Sequence, residues 1–320
     1  MSILHGKKIK LFSLSANKQL AEEISKSISV PLSDLEVRNF ADGEIEINIL
    51  ESVRGHDCFI VQPTNDPVNE HYMELLIMCD ALKRASAKTI CVIMPYYGYS
   101  RQDRKAKSRQ PISAKLMADL IQIAGATRVI CMDLHAGQIQ GFFNIPIDNF
   151  PAAPMLANYF IAKNLPNIVV ISPDHGGATR ARKFAKMLDA PMAIIDKRRP
   201  APNVAEVMNI IGEVSGHTAI IIDDIIDTAG TLAVATEALL EAGALGVYAA
   251  ATHALFSGDA YQKIKNSKIT EVVVTNTVKI KENLPKITQL SIGSMLGEAI
   301  LHIVLDEPIS QIFNLNKGTE

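Results

Sequence analysis

The chain has 320 residues, enough for two domains of ordinary size or one large α/β unit. Its 48% hydrophobic and 21% charged residues are those of a globular protein, and Lys+Arg of 32 against Asp+Glu of 34 leaves a net charge of −2, which removes any global electrostatic case for a nucleic-acid partner. Aromatics at 5% with no Trp argue against a stacking platform for single strands, and no apolar run reaches the roughly 18 residues that a membrane span needs.

In chain order, short β-branched runs alternate with longer stretches of helical period. The segment Met1 to Lys10 has no apolar core of a secretory signal, so a cytoplasmic protein is expected. A strand is predicted at Ile9–Leu14 and a helix at Lys18–Ile28. Strand Cys58–Gln62, helix Val68–Ala87, strand Thr89–Met94, helix Ile112–Ala124 and strand Arg128–Met132 follow. The Pro-bearing stretch Asn144–Pro154 is the natural boundary between an N-terminal domain, residues 1–150, and a C-terminal domain, residues 151–320. Beyond it come helix Ala152–Asn164, strand Ile168–Ser172, helix Ala178–Leu188, strands Met192–Asp196 and Thr218–Ile222, and helix Leu232–Ala242. Strands Gly246–Thr252 and Glu271–Asn276 close the pattern, and a last helix, Ser294–Val304, can pack on either domain.

Runs such as Ile168-Val-Val-Ile171 and Ile220-Ile-Ile222 are apolar throughout, as suits strands covered on both faces. Strand–helix alternation implies right-handed crossovers and mainly parallel sheets, so the predicted fold class is doubly wound α/β. Two sheets are expected rather than one, because about ten strands approaches the limit of an open twisted sheet. The strand ends Val129-Ile-Cys-Met-Asp-Leu-His135 and Val169-Val-Ile-Ser-Pro-Asp-His175 hint at duplicated halves. Cys58, Cys79, Cys91 and Cys131 lie in apolar segments without a CxxC pair, which reads as free buried thiols rather than a zinc site or a disulfide framework.

The sharpest chemical signal is Ile220-Ile-Ile-Asp-Asp-Ile-Ile-Asp-Thr-Ala-Gly-Thr-Leu232. A buried strand delivers Asp223 and Asp224 at its carboxyl end, where open α/β sheets bind ligands. The small-residue turn Asp227, Thr228, Ala229, Gly230 and Thr231 then opens a helix. Backbone N–H groups there suit a phosphate, the two Thr hydroxyls add donors, and Gly230 permits close approach. Carboxylates beside a phosphate cradle would repel it unless they serve another part of the ligand, and an acceptor pair suits vicinal sugar hydroxyls or a divalent cation. The bland alternative, Asp and Thr as helix caps, leaves the two acids on an apolar strand unexplained. The segment reads as a sugar-phosphate site.

This loop resembles the phosphoribosyl diphosphate signature of type I phosphoribosyltransferases. Phe40-Ala-Asp-Gly-Glu44, Ser100-Arg-Gln-Asp-Arg-Lys105, Asp133-Leu-His135, Ser172-Pro-Asp-His-Gly-Gly177 and Asp196-Lys-Arg-Arg199 narrow the resemblance to bacterial class I ribose-phosphate diphosphokinases, over about Ile9 to Phe313. The resemblance implies two similar phosphoribosyltransferase-type domains, each a mainly parallel sheet flanked by helices. It implies transfer of the pyrophosphoryl group of ATP to the anomeric hydroxyl of ribose 5-phosphate, giving PRPP and AMP, with Mg²⁺ as the cation. By motif match Lys197 and Arg199 are the transition-state cations, on a loop that closes over the substrates. Arg101 and Gln102 are the ATP-binding pair, His135 joins the Mg-ATP group, and Asp174 is the second metal-site residue. His as a ligand is unusual for Mg²⁺, which prefers oxygen. Phe40, Asp42 and Glu44 reach ATP bound mainly to a neighbouring subunit, so the catalytic unit is at least a dimer and the family usually forms hexamers. Asp223, Asp224 and residues 227–231 take ribose 5-phosphate.

Two questions stay open on sequence, and two alternatives are weighed. No general base stands out, since spacing does not say whether Asp223 or Asp224 takes the proton of the anomeric hydroxyl. Class I members commonly respond to phosphate and ADP, and Arg54, Lys105, Arg109 and Ser310 are candidates for that site. A catalytically silent relative would show a broken loop or lack Lys197 or His135, none of which holds here. A phosphoribosyltransferase consuming PRPP would not explain the segments at Ser100–Lys105 and Asp196–Arg199.

Overall fold

The computed structural model describes residues 8–198, 207–310 and 312. The chain folds into two compact units: Met1–Pro151 with Thr277–Lys279 and Ser291–Glu320, and Ala152–Asn276 with Ile280–Leu290.

In the first unit, β1 (Ile9–Ser13), β4 (Asp57–Val61), β5 (Thr89–Ile93), β6 (Arg128–Met132) and β7 (Ile147–Phe150) form a parallel sheet in the order 1-4-5-6-7. A separate antiparallel hairpin joins β2 (Leu35–Asn39) to β3 (Ile45–Ile49). The helices are α1 (Lys18–Ile28), α2 (Val68–Arg84), α3 (Ser113–Ala124) and α8 (Gly293–Leu305), with a 3₁₀ turn at Gly137–Phe142. Helix α1 starts where Asn17 Oδ1 accepts from Leu20 N at 3.2 Å, and it buries Leu20, Ala21, Ile24 and Ile28 on one face. Helix α8 lies against α1 because Gly293 and Gly297 remove two side chains from the contact; a Cβ at Gly293 would sit 2.6 Å from Glu23 Cβ. Strands β4, β5 and β6 are buried on both faces after their first residue, and each fully covered Ile or Phe contributes roughly 1.5–3 kcal/mol of transfer free energy.

The second unit has a seven-stranded sheet in the order β10-β9-β8-β11-β12-β13-β14. Its strands are β8 (Ile168–Ser172), β9 (Met192–Arg198), β10 (Val207–Ile211), β11 (Thr218–Ile226), β12 (Gly246–Ala254), β13 (Glu271–Thr275) and β14 (Ile287–Leu290). Only β10 runs antiparallel to its neighbour among these described strands. Helices α4 (Ala153–Lys163), α5 (Ala178–Met187), α6 (Gly230–Glu241) and α7 (Ala260–Asn266) accompany the sheet. Small residues, including Ala235, Ala249 and Ala251, fill its core where α6 meets β11 and β12.

The doubly wound α/β class with separate sheets is what the alternation predicts. Five strands lie outside the predicted set: β2, β3, β7, β10 and β14. The boundary stretch Asn144–Pro154 includes β7, the edge strand of the first unit's sheet. The four cysteines are buried and free, and burial pushes their thiols up, Cys58 and Cys79 to about 12.

Candidate active site

Strand β11 runs through to Ile226, so Asp223 and Asp224 lie inside it rather than beyond a strand end at Ile222. Arg180 of α5 allows one strand to carry both acids. Its Nη1 donates to Asp223 Oδ1 at 2.6 Å and its Nη2 approaches Asp224 Oδ1 at 3.0 Å. Asp223 Oδ1 also accepts from Asp224 N at 2.9 Å. Burial, then the hydrogen bond and charge of Asp224, raise the Asp223 carboxyl to about 7 against the lowering effect of Arg180.

After β11 the chain turns through Asp227, Thr228 and Ala229 into α6. The left-handed residue of this turn is Ala229, at φ 55°, while Gly230 is the first helical residue. A Cβ on Gly230 would meet nothing nearer than Thr228 Oγ1 at 3.8 Å and Lys263 Nζ at 3.9 Å, so the glycine keeps space open rather than relieving a clash. No side chain caps α6, which leaves its first-turn N–H groups directed at whatever occupies the turn. Asp174, Asp223, Asp227, Thr228, Ala229, Gly230 and Thr231 line one cavity of about 200 Å³. The structure therefore brings together the predicted sugar-phosphate loop, one of its two strand acids and Asp174, with Asp224 behind on Arg180.

Asp174 follows β8 and is exposed; its Oδ1 accepts from Gly177 N at 2.8 Å, and Ser172 Oγ donates to its carbonyl at 2.6 Å. His175 contacts Asp196 Oδ1 through Nε2 at 3.1 Å, which ties this turn to β9. Strands β9 and β10 extend as an antiparallel ribbon in which Lys197 pairs in register with Met208. The side chain of Lys197 and the whole of Arg199 lie outside the described residues.

In the first unit, Phe40, Asp42 and Glu44 form the tip of the β2–β3 hairpin. Phe40 N donates to Glu44 O at 2.8 Å, Glu44 N to Asp42 Oδ1 at 3.1 Å, and Gly43 takes φ 93°. The Asp-Gly turn and an exposed aromatic thus coexist, with Phe40 53% exposed. Arg101 and Gln102 are exposed at the end of a segment fixed from behind. Tyr72 Oη donates to Gly98 O at 2.8 Å, Gly98 N to Thr64 Oγ1 at 2.8 Å, and Tyr97 Oη to Ala114 O at 2.7 Å. Ser113 Oγ donates to Gln102 Oε1 at 2.6 Å. His135 is exposed just after β6, where Leu134 N donates to Asn149 Oδ1 at 3.0 Å. His135 belongs to the first unit and Asp174 to the second. Sequence reasoning misses Arg180, whose only local signal is an arginine early in a helix.

A family profile described as the N-terminal domain of ribose phosphate pyrophosphokinase matches residues 9–125, and one described as a phosphoribosyl synthetase-associated domain matches residues 172–314. The ribose-phosphate pyrophosphokinase of Bacillus subtilis is 59% identical over 317 residues, covering 98% of this chain and all of the relative. The protein of that name from Corynebacterium ammoniagenes is 59% identical over 96% of the chain. The chain belongs to the ribose-phosphate pyrophosphokinase family. A solved phosphoribosylpyrophosphate synthetase from Mycobacterium smegmatis shares the fold at a TM-score of 0.89 and 42% identity, covering 94% of this chain and all of that one. The first profile match falls within the first unit, and the second spans residues of both units.

Among the described residues no group of three or more His, Cys, Asp or Glu side chains converges to hold a metal. The chemistry of the cavity wall nevertheless fits a hard cation bound through few protein ligands, because the exposed Asp174 offers a carboxylate there.

Proposed function

We propose that the protein transfers the pyrophosphoryl group of ATP to the anomeric hydroxyl of ribose 5-phosphate, releasing AMP and supplying PRPP for nucleotide biosynthesis in the cytoplasm. The observation that carries this reading is the cavity at β11–α6, which offers acid acceptors for sugar hydroxyls beside a helix start and two Thr hydroxyls for the 5-phosphate. Full-length likeness to proteins named ribose-phosphate pyrophosphokinase supports the same reaction.

In this reading the loop at residues 227–231 binds the phosphate through backbone N–H groups, with Thr228 and Thr231 adding hydroxyl donors. Asp223 and Asp224 orient the ribose by accepting from its vicinal hydroxyls, which leaves the anomeric oxygen to be presented in line with the β-phosphorus. Arg101 and Gln102 take ATP from a segment held by Tyr72, Thr64 and Tyr97, so the donor is positioned on a fixed support. Phe40, Asp42 and Glu44 serve the adenosine part of ATP on a neighbouring subunit, which makes the working form at least a dimer and, as the family usually has it, a hexamer. Lys197 and Arg199 offset charge on the transferring group and on departing AMP. Asp174 is the carboxylate suited to Mg²⁺, and His135 is assigned to the Mg-ATP group. Mg²⁺, when bound to phosphate oxygens, supplies charge neutralisation during transfer.

The test is an assay of AMP formation from ATP and Mg²⁺, with phosphate present, with and without ribose 5-phosphate, and with PRPP identified by mass. Sugar-dependent AMP together with PRPP is expected. Folded, oligomeric protein that makes no PRPP across several metals and phosphate levels would overturn the reading.

A further inference from the structure

Two charge placements beside the loop at residues 227–231 run against simple electrostatics. The described lining of its cavity includes Asp174, Asp223 and Asp227 and no Lys or Arg, yet the cavity is read as the site of an anionic sugar phosphate. Arg180 does not supply the missing charge, because both its terminal nitrogens are turned to Asp223 and Asp224. The second placement is a cation at the wrong end of a helix. Lys263 of α7 brings Nζ to 3.9 Å from the position of a Cβ on Gly230, the first residue of α6, where the helix dipole is positive and repels an ammonium.

We propose that Lys263 is a phosphate-binding residue of this site: its ammonium is the cation that meets the 5-phosphate of ribose 5-phosphate beside the first turn of α6. The inference rests on the reading of the cavity as the ribose 5-phosphate site. An anion seated on the N–H groups of that turn lies between two positive groups. The ion that uses the helix start therefore also offsets the repulsion between that helix start and the ammonium. A point one bond out from Gly230 Cα lies 3.8 Å from Thr228 Oγ1 and 3.9 Å from Lys263 Nζ. Thr228 lines the cavity, so a hydroxyl and an ammonium from two different chain segments flank the same gap.

The backbone fixes where this ammonium sits. The connection from β12 to α7 is fastened to the root of the loop: Leu255 N and Phe256 N donate to Ile226 O at 3.0 and 3.2 Å, and Ser257 N donates to Asp227 O at 3.0 Å. One turn into α7, Lys263 comes alongside Gly230. Asp259, at the N-cap of α7, makes no capping bond with its side chain; its Oδ1 meets Lys263 Nζ at 2.7 Å instead. An ammonium has three donors, so Nζ keeps donors for a phosphate oxygen beside this carboxylate. The Lys263 side chain is 36% exposed and that of Asp259 66%, and so solvated a pair adds little to the fold. Stability therefore does not account for a cation held against a helix start, and a bound phosphate does.

The experiment measures kcat, KM for ribose 5-phosphate and KM for ATP in the full-length enzyme at fixed Mg²⁺ and phosphate, for wild type, Lys263→Met, Lys263→Arg and Asp259→Asn. Lys263→Met should raise KM for the sugar roughly tenfold, with kcat and KM for ATP within about twofold of wild type. Lys263→Arg keeps the charge and should stay within about threefold of wild type. Asp259→Asn breaks the same ion pair but leaves the cation, so its KM for the sugar should be at or below that of wild type. A structural role for the pair would make Asp259→Asn as harmful as Lys263→Met, and that result overturns the proposal. So does a loss in Lys263→Met that falls on ATP. Raising KCl from about 50 mM to about 300 mM should increase KM for the sugar more steeply in wild type than in Lys263→Met, because of the two only wild type has an ammonium–phosphate attraction to screen. Equal slopes overturn it as well. Gly230→Val assayed alongside separates the two readings. If it spares KM for ribose 5-phosphate, the loop is not the phosphate site and the inference falls with that reading. If it raises that KM while Lys263→Met does not, the inference alone fails.

Discussion

The seven-stranded sheet of the second unit carries a carboxylate cluster toward each end, and the two are built on opposite principles. At the start of β13, Glu271 is 9% exposed. Tyr159 Oη and Thr288 Oγ1 each donate to its Oε1 at 2.6 Å, and Lys163 Nζ meets Oε2 at 2.5 Å. Lys163 also lies over the Tyr159 and Tyr248 rings, 5.3 and 5.6 Å from their centroids. Burial alone would raise the Glu271 carboxyl, but the Lys163, Thr288 and Tyr159 hydrogen bonds outweigh it and hold it below its ordinary value. Toward the other end of β11, Asp223 has a cation and a backbone N–H, yet its carboxyl is raised because burial is joined by a second acid beside it. The saturated cluster stabilises the fold. The frustrated one keeps acceptor capacity for a ligand, at a cost to stability.

The largest expected effect comes from removing the frustrated charge. Asp223→Asn should lower kcat/KM for ribose 5-phosphate by about a hundredfold or more, since hydrogen bonds to a charged acceptor are among the strong ones. Its melting temperature at pH 8 should be no lower than that of wild type. A variant that loses activity and melts well below wild type would erase the distinction between the clusters.

Gly230→Val sharpens the same comparison from the loop. The nearest atoms to a Cβ there are 3.8 and 3.9 Å away, so the folded chain has room for it, and what it fills is ligand space. KM for ribose 5-phosphate should rise roughly tenfold or more with KM for ATP little changed. Equal loss for both substrates in a folded protein would place the glycine's role elsewhere.

At the saturated cluster the effect should fall on stability alone. Glu271→Ala strips Tyr159, Thr288 and Lys163 of a common acceptor and should destabilise by about 2–3 kcal/mol, seen in urea unfolding. The kinetic constants for both substrates should stay within about twofold of wild type. A comparable loss of sugar affinity would mean that this end of the sheet communicates with the cavity.

Which parts of this are legible in the sequence follows from what is local. The limits of α1, β6 and β8 coincide with the predicted Lys18–Ile28, Arg128–Met132 and Ile168–Ser172, because caps and apolar runs are local signals. The β2–β3 hairpin escapes such a reading although Ile45-Glu-Ile-Asn-Ile49 alternates, because its strands form a separate two-stranded sheet with largely exposed residues. Strand β11 reads as ending at Ile222 because two consecutive acids look like a strand terminus; the cation that lets them continue comes from α5, 43 residues earlier in the chain for Asp223. The positive φ of Ala229 is likewise hidden, since the neighbouring glycine is where such strain is normally expected. The Glu271 cluster joins residues separated by 108 and 112 positions and has no motif at all. The loop chemistry is readable, but the charges that tune it are not.

The smallest expected effect is the most direct reading of the contrast, because the two acids should respond to pH with opposite slopes. Glu271 binds its proton less tightly in the folded chain than in the unfolded one. Its contribution is therefore fully present above the ordinary carboxyl value and is lost as pH falls through its depressed folded value. Asp223 binds its proton more tightly when folded, at about 7 against an unfolded value of roughly 3.9. Folding then takes up a proton between those values, so wild type loses stability as pH rises across that window and levels off above it. Thermal melts of wild type, Glu271→Gln and Asp223→Asn from about pH 4 to pH 8 read both effects. The deficit of Glu271→Gln should grow with pH only in the acid range and then stay constant, whereas the advantage of Asp223→Asn over wild type should widen from about pH 4 to pH 7. Arg180 sets the size of the second trend, since a cation bound to the ionised pair limits how far the Asp223 carboxyl rises. A flat difference for Asp223→Asn across that range would mean that the pair is ionised at no cost and that the frustration lies outside these two side chains.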